Sequence, residues 1–368
     1  MKIIFVAPFM TALLRGIERV VCEVGTRLAR RGHQVHILYW PGSHPWPYGP
    51  VPPGFYLHEL PLPRYYQHRV AGLLYPLYFR RIRPDVVSFF YSWHGEDIAH
   101  RYWRDRRPAS ILMVHYPAQE VPNRYEQLAS SRVIRRATAL VACSDYVAAG
   151  VRDVLRREPA TIRNGVDVDR FVPADAATKR ELRRQLGLDE HRPILCTVGA
   201  LEERKGVGRA LEAMSLLHQR GIDFMYLVVG EGKLRSELER FVAGHDLSGT
   251  VMLVGAHADP RPFYQVADLF LFLSRGEAAP LAPLEALACA LPIVAANQPP
   301  LDELLPPGGT IFVDEHAPAV VCDAVTALLQ DPATMRAMGD FNRSYARATY
   351  SWETIVDQYE SLYRRIVT

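Results

Sequence analysis

Between Leu269 and Leu291 the chain changes its periodicity with no room for a long connection. Leu269–Leu273 is an unbroken apolar run, short enough for a buried strand. Arg275, Gly276 and Glu277 follow it, and from there a helical pattern runs to about Leu291. Pro283 suits an early helical position, because the amide it lacks is one that a helix start cannot use. The stretch therefore reads as strand, tight loop and helix N-terminus. The amides of Leu281, Ala282 and Leu284 are expected to point out of that terminus, where partial positive charge suits a phosphate. Glu277 falls at the strand end and Glu285 in the first turns of the helix. Together they could hold hydroxyls on either side of a bound diphosphate, and a sugar nucleotide has that layout: sugar, diphosphate, ribose. A plainer reading makes them a loop acid and a dipole-complementing acid.

The start of the chain obeys the same alternation. Ile3–Ala7 reads as a strand, Pro8–Arg15 as a loop, and Gly16 to Arg31 as a helix with Ile17, Val20, Val21, Val24 and Leu28 on one face. Gly32-His33 stops it, and Val35–Tyr39 is the next strand, a βαβ start for a parallel sheet. The G-x-G-x-x-G of a dinucleotide-binding dehydrogenase is absent after the first strand. Residues 40 to 70 read as a long irregular segment carrying Trp40, Trp46, Tyr48, Phe55, Tyr56, Tyr65 and Tyr66. Such a segment is either a surface loop packed by its own aromatics or an acceptor-binding or membrane-facing element, with Trp46 and Tyr48 as acceptor contacts. Further strand-like runs are Val86–Phe90, Ile111–His115 and Leu140–Cys143. His115 ends its run, and carboxyl ends of parallel strands face a binding crevice. His94 also follows a strand and is a second candidate on the acceptor side.

In the second half, Ile194–Gly199 is a strand followed by Arg204-Lys205-Gly206 and a helix with Val207, Ala210, Leu211, Met214 and Leu217 on one face. Cations at a helix start oppose its dipole, so an anionic ligand explains them better than a solvated turn does. Phe224–Gly230, Val251–Val254 and Pro292–Ala295 are further strands, and Trp352 to Ile366 repeats at helical spacing.

Composition bounds the rest. The chain has 368 residues, long for one hydrophobic core, so two domains are expected. A formal net charge of +3 does not by itself imply nucleic-acid binding. Five cysteines without C-x-x-C spacing read as buried free thiols in a reducing compartment. No run approaches the roughly 18 apolar residues of a membrane span. No D-x-D or other metal site is expected, and no cofactor.

The run from Glu277 to Leu291 resembles the E-G-F-P-L-x-x-L-E-A-M-A-x-G-x-P segment of glycosyltransferase family 4. Ala278, Ala279 and Ala290 depart from it. Ile162–Asp167 is similar to the family's I-P-N-G-V-D linker, and Tyr350-Ser351-Trp352-Glu353 to its F-S-W-E helix start. The resemblance implies a GT-B fold: α/β, two doubly wound Rossmann-like domains with an interdomain cleft and a C-terminal crossover helix. It divides the chain into an acceptor-side domain over 1–167, a donor-binding domain over 168–348 and a crossover helix over 349–368. It implies retaining, metal-independent transfer of a hexosyl group from a UDP- or GDP-linked nucleotide sugar. His115, Arg204, Lys205 and Glu277 would be catalytic. Arg15 and Gly16 (in place of a Gly-Gly), Gly199, Gly255, Ala256, His257, Leu281, Ala282, Leu284 and Glu285 would bind the donor. Ala200 stands where the family usually has an Arg, and Arg204 is placed to compensate. The acceptor would be a glycan, a lipid-linked molecule or a small molecule, and nucleic acid is not a partner. A cytoplasmic location is implied, with room for peripheral contact at the inner membrane face. The departures keep two alternatives open: a GT-B nucleotide-sugar epimerase and a non-catalytic sugar-nucleotide-binding module.

Overall fold

A computed structural model of the chain describes residues 1–7, 10, 16–40, 50–61, 67–90, 108–130 and 136–367. Arg15, Trp46, Tyr48 and His94 lie outside the described residues. The chain forms two compact units, Met1–Asn164 with Trp352–Thr368, and Gly165–Ser351. The division falls just before the 167/168 boundary expected from the sequence. The linker belongs to the second unit because Val166 pairs with Ser351 and its amide donates to the Tyr350 carbonyl at 2.7 Å.

The first unit holds a parallel sheet of β1 (Lys2–Val6), β2 (Gln34–Tyr39), β3 (Phe55–Glu59), β4 (Val86–Phe89), β5 (Ala109–Val114), β6 (Ala139–Ala142) and β7 (Ala160–Thr161). Its order is β3-β2-β1-β4-β5-β6-β7. Residues 40 to 70 are not irregular throughout: they contain β3, and from Gln67 a helix that runs to Ile82. Proline crowding on either side hides β3, yet Phe55 and Leu57 pack inward while Tyr56 stacks on His36 of β2 at 4.6 Å. The final helix, Trp352–Val367, buries Trp352, Ile355, Val356, Tyr359, Leu362 and Tyr363 against Ile3, Phe5, Val20 and Val24 of this unit. Arg27 and Arg31, in and just past the Gly16–Arg30 helix, bind Glu353 at 3.0 and 2.7 Å, and Tyr363 meets Ser88 at 3.1 Å. This last contact is fully buried and ties the end of the chain to β4.

The second unit holds β8 (Ile194–Val198), β9 (Met225–Val229), β10 (Val251–Gly255), β11 (Leu269–Phe272), β12 (Ile293–Ala296) and β13 (Thr310–Val313), all parallel, in the order β10-β9-β8-β11-β12-β13. Successive side chains of a strand point to opposite faces. Accordingly Ile194, Cys196, Phe270, Phe272 and Ile293 enter one core, and Leu195, Leu269, Leu271 and Val294 the other. Both sheets run outward from their first strand, then jump to the other side of it, which places a switch point at β1/β4 and at β8/β11.

Arg343, on the Pro332–Thr349 helix, fastens the linker to this unit by donating to the carbonyls of Phe171, Ala288 and Val168, each at 2.8 Å. Arg343→Met would leave these acceptors without the guanidinium. The expected result is a loss of roughly 2–4 kcal/mol in the stability of the second unit, measured by thermal or urea melting.

Candidate active site

The second switch point collects most of the residues singled out in the sequence. After β8, Gly199 leaves its Cβ side open to the Lys205 stem, 3.9 Å from where a Cβ would stand. A tight turn over Glu203–Lys205 ends at Gly206, whose φ is 70°. A Cβ on Gly206 would lie 2.2 Å from the Leu273 carbonyl, so only glycine lets this turn rest against the end of β11. From the other side, the Arg275 amide donates to the Arg204 carbonyl at 2.8 Å. The two loops are thus pinned backbone to backbone.

Glu277 sits where they meet and is buried. Its Oε1 accepts from Lys205 Nζ, from Arg204 Nη1 at 3.3 Å and from Ser274 Oγ. Burial pushes this carboxyl upward in pKa, and the charges of Lys205 and Arg204 with the bonds from Lys205 and Ser274 outweigh it, so the group ends below its ordinary value. Its hydrogen bonds from side chains among the described residues fall on Oε1, which leaves Oε2 to accept from a ligand. Arg204 does reach the carboxylate from its shifted position, four residues on from Ala200 in the motif. Lys205 also lies 5.9 Å from the Phe272 ring centroid.

The helix Leu281–Ala288 starts from a Pro280 cap that makes no side-chain bond. Pro283 has no N–H, and Leu281 and Ala282 are the first two amides past the cap, placed before any i to i−4 partner exists for them. Glu285 is buried one turn in, where the Tyr264 hydroxyl reaches its Oε2 at 2.9 Å and the Ala282 carbonyl at 3.2 Å. Burial, then the Glu285 charge, hold that phenol well above its ordinary value, so it stays a donor.

Gly255 has φ 92° at the carboxyl end of the edge strand β10, and its carbonyl accepts from Gly230 at 2.9 Å. Ala256 and His257 are exposed beside it, the His257 ring edge-on to Phe263 at 4.7 Å. In the first unit, Gly16 is the exposed first residue of its helix. His115 is the first residue past β5, buried, with its ring stacked on Phe90 at 6.2 Å. Burial pushes its pKa down to about 4, and its Nε2 has no partner among the described residues. Ser274 and Tyr264 carry no sequence signal: each reads as a strand-end or core residue, and only the fold turns its hydroxyl toward Glu277 or Glu285.

The sequence model described as Glycosyl transferases group 1 matches residues 178–345, and that described as Glycosyltransferase Family 4 matches residues 14–170. The chain is a family 4 glycosyltransferase. It is 29% identical to an alpha-D-kanosaminyltransferase of Streptomyces kanamyceticus over 80% of this chain and 75% of that protein. Its structure resembles sucrose-phosphate synthase from Thermosynechococcus elongatus with a TM-score of 0.83 at 20% identity, covering 99% of this chain and 98% of that one. It also resembles Anabaena Alr3699/HepE, solved with UDP-glucose, with a TM-score of 0.79 at 17% identity over 98% and 99% of the two chains. The glycosyltransferase therefore has the GT-B fold, built from two Rossmann-like domains. No helix among its described residues is long and apolar enough to cross a membrane.

Because His115 is neutral in the fold, the stability it contributes is complete above its ordinary pKa of 6.5 and is lost as the pH falls toward about 4. Over that window the wild-type glycosyltransferase should lose roughly 3 kcal/mol through this group. His115→Asn should show a flatter dependence when melts are compared across the same pH range.

Proposed function

We propose that the glycosyltransferase moves a hexosyl group from a UDP- or GDP-linked donor to an acceptor, with retention of configuration and without a metal. One observation carries this reading: two cations, Lys205 and Arg204, share a single carboxylate oxygen at a switch point, beside the free amides of Leu281 and Ala282. Arg204 also pairs with the partly exposed Glu202 at 3.2 Å, so the cluster is balanced at rest, and Lys205, Arg204 and the two amides are the donors that a diphosphate would draw on. As the sugar departs, charge grows on the β-phosphate. The two cations, once the diphosphate has drawn them to it, and the two amides would oppose that charge, and electrostatics of this kind dominate the rate enhancement of many enzymes. They supply the charge stabilisation that a metal supplies elsewhere.

Glu277 would accept from donor-sugar hydroxyls through Oε2. It is a poor nucleophile, since its charge is already held by Lys205 and Arg204. The acceptor then attacks on the face the phosphate leaves, and the phosphate takes its proton. Glu285, steadied by Tyr264, would hold the ribose, and Gly255–His257 would border the base. Neutral His115 would donate or accept a hydrogen bond near the donor sugar. The acceptor belongs with the first unit. There Leu77 is 60% exposed on the same helix as the exposed Arg80 and Arg81. That pairing suits an apolar or lipid-linked acceptor and peripheral contact with an anionic surface.

Calorimetry with free nucleoside diphosphate and with the sugar donor separates the roles. Glu285→Gln should weaken both ligands. Glu277→Gln should spare the diphosphate and impair transfer. Lys205→Ala should keep the fold and cut turnover by about 2–4 kcal/mol of transition-state stabilisation. Near-normal turnover in folded Lys205→Ala would remove Lys205 from the site.

A further inference from the structure

The loops after β11, β12 and β13 bring a second charged cluster to the same edge of the sheet. Glu315, just past β13, is only 3% exposed. It accepts from Gln298 Nε2 in the loop after β12. Its Oε1 lies 3.5 Å from His316 Nε2 and 4.0 Å from Arg275 Nε. Arg275 donates from Nη1 to His316 Nε2 at 2.9 Å, and since a guanidinium cannot accept, that His316 nitrogen is the acceptor. Arg209, in the first turn of the Val207–Gln219 helix, donates from Nη2 to the Leu273 carbonyl at 2.9 Å. Its Nε is buried with no partner among the described residues. Glu203 stands 3.9 Å from Arg209 Nη1 but is 76% exposed. Burial first, and then the neighbouring Arg275, push the Arg209 guanidinium below its ordinary pKa.

Arg275 reaches the buried Glu315 carboxylate only at 4.0 Å, Arg209 feels the charge of both without touching that carboxylate, and one buried donor is left over. A cluster that only fastened loops would be better served by a balanced pair, because an unpaired buried donor and a like-charged neighbour both cost stability. An added anion on Arg275 would offset the like-charge cost and draw on the Arg209 charge behind it. Its source is set by position. With the diphosphate at β8/β11 and the nucleoside over β9–β10, the sugar end of the same donor projects toward β11–β12–β13.

Resting on the nucleotide-sugar reading above, we propose that Arg275 and Arg209 form a subsite for an anionic substituent, a carboxylate or phosphate, carried by the transferred sugar or by the acceptor. Arg275 is partly exposed and meets the anion, while the Arg209 charge backs it from within. Arginine suits the task because its planar fork matches both oxyanions in two bonds.

Calorimetry on the full chain tests the subsite, beginning with UDP and GDP. In the donor arm, UDP-glucuronate should bind about tenfold more tightly than UDP-glucose, or GDP-mannuronate than GDP-mannose, according to the base that binds. In the acceptor arm, with the site saturated by that nucleoside diphosphate, glucose 6-phosphate should bind about tenfold more tightly than glucose. Arg275→Gln should abolish the preference in whichever arm shows it and leave nucleoside diphosphate affinity within about twofold. The wild-type preference should also shrink as salt is raised, a readout that needs no variant. Equal affinities in both arms, or a preference that survives both Arg275→Gln and salt, overturns the subsite. If neither UDP nor GDP binds, the donor reading itself fails and the subsite fails with it.

Discussion

One carboxylate oxygen, Glu277 Oε1, receives Lys205, Arg204 and Ser274, and the second unit is arranged so that this meeting can occur. A buried carboxylate is costly unless its charge is matched and its lone pairs are used. Here both conditions are met by residues from two loops that are neighbours only because β8 and β11 are adjacent across the switch point. Gly206 allows the approach, and the amide of Arg275 on the carbonyl of Arg204 fixes its register. The same contact explains why cations are tolerated at a helix start. Lys205 and Arg204 serve Glu277, and Arg204 also serves the exposed-side Glu202, a surface pair that an anionic ligand can replace.

The two units use one construction for different ends. Each begins with a strand whose neighbours lie on one side until the chain crosses to the other. The first unit is an apolar frame, with Trp352, Tyr359 and Tyr363 closing its core, and presents a neutral, buried His115 next to Phe90. The second accommodates charge: Glu277, Glu285 and Glu315 are all buried, and each is met by designated donors or cations. Buried neutral imidazole and buried compensated carboxylates are opposite solutions to the same desolvation cost.

Much of this was legible in the sequence because it depends on local signals. Unbroken apolar runs marked β1, β5, β8 and β11, and Gly, Pro and charge marked the turns at their ends. Those signals alone put Lys205, Glu277 and the 281–288 helix start at strand ends. β3 and β13 were not legible, since their short patterns, Phe55–Glu59 and Thr310–Val313, lie among prolines or glycines and gain their order from a neighbouring strand. Tyr264 and Ser274 were hidden for a similar reason: a hydroxyl gives no periodic signal, and its partner is chosen by tertiary packing. Nor could spacing tell that Arg204, four residues on from Ala200, reaches Glu277.

The most direct measurement is a crystal structure of the glycosyltransferase soaked with UDP or GDP. The account predicts the β-phosphate between Lys205 Nζ and the amides of Leu281 and Ala282, at about 3 Å from each, with Arg204 turned toward it. A nucleotide bound elsewhere, with Lys205 and Arg204 still closed on Glu277 and the helix start bare, would contradict it.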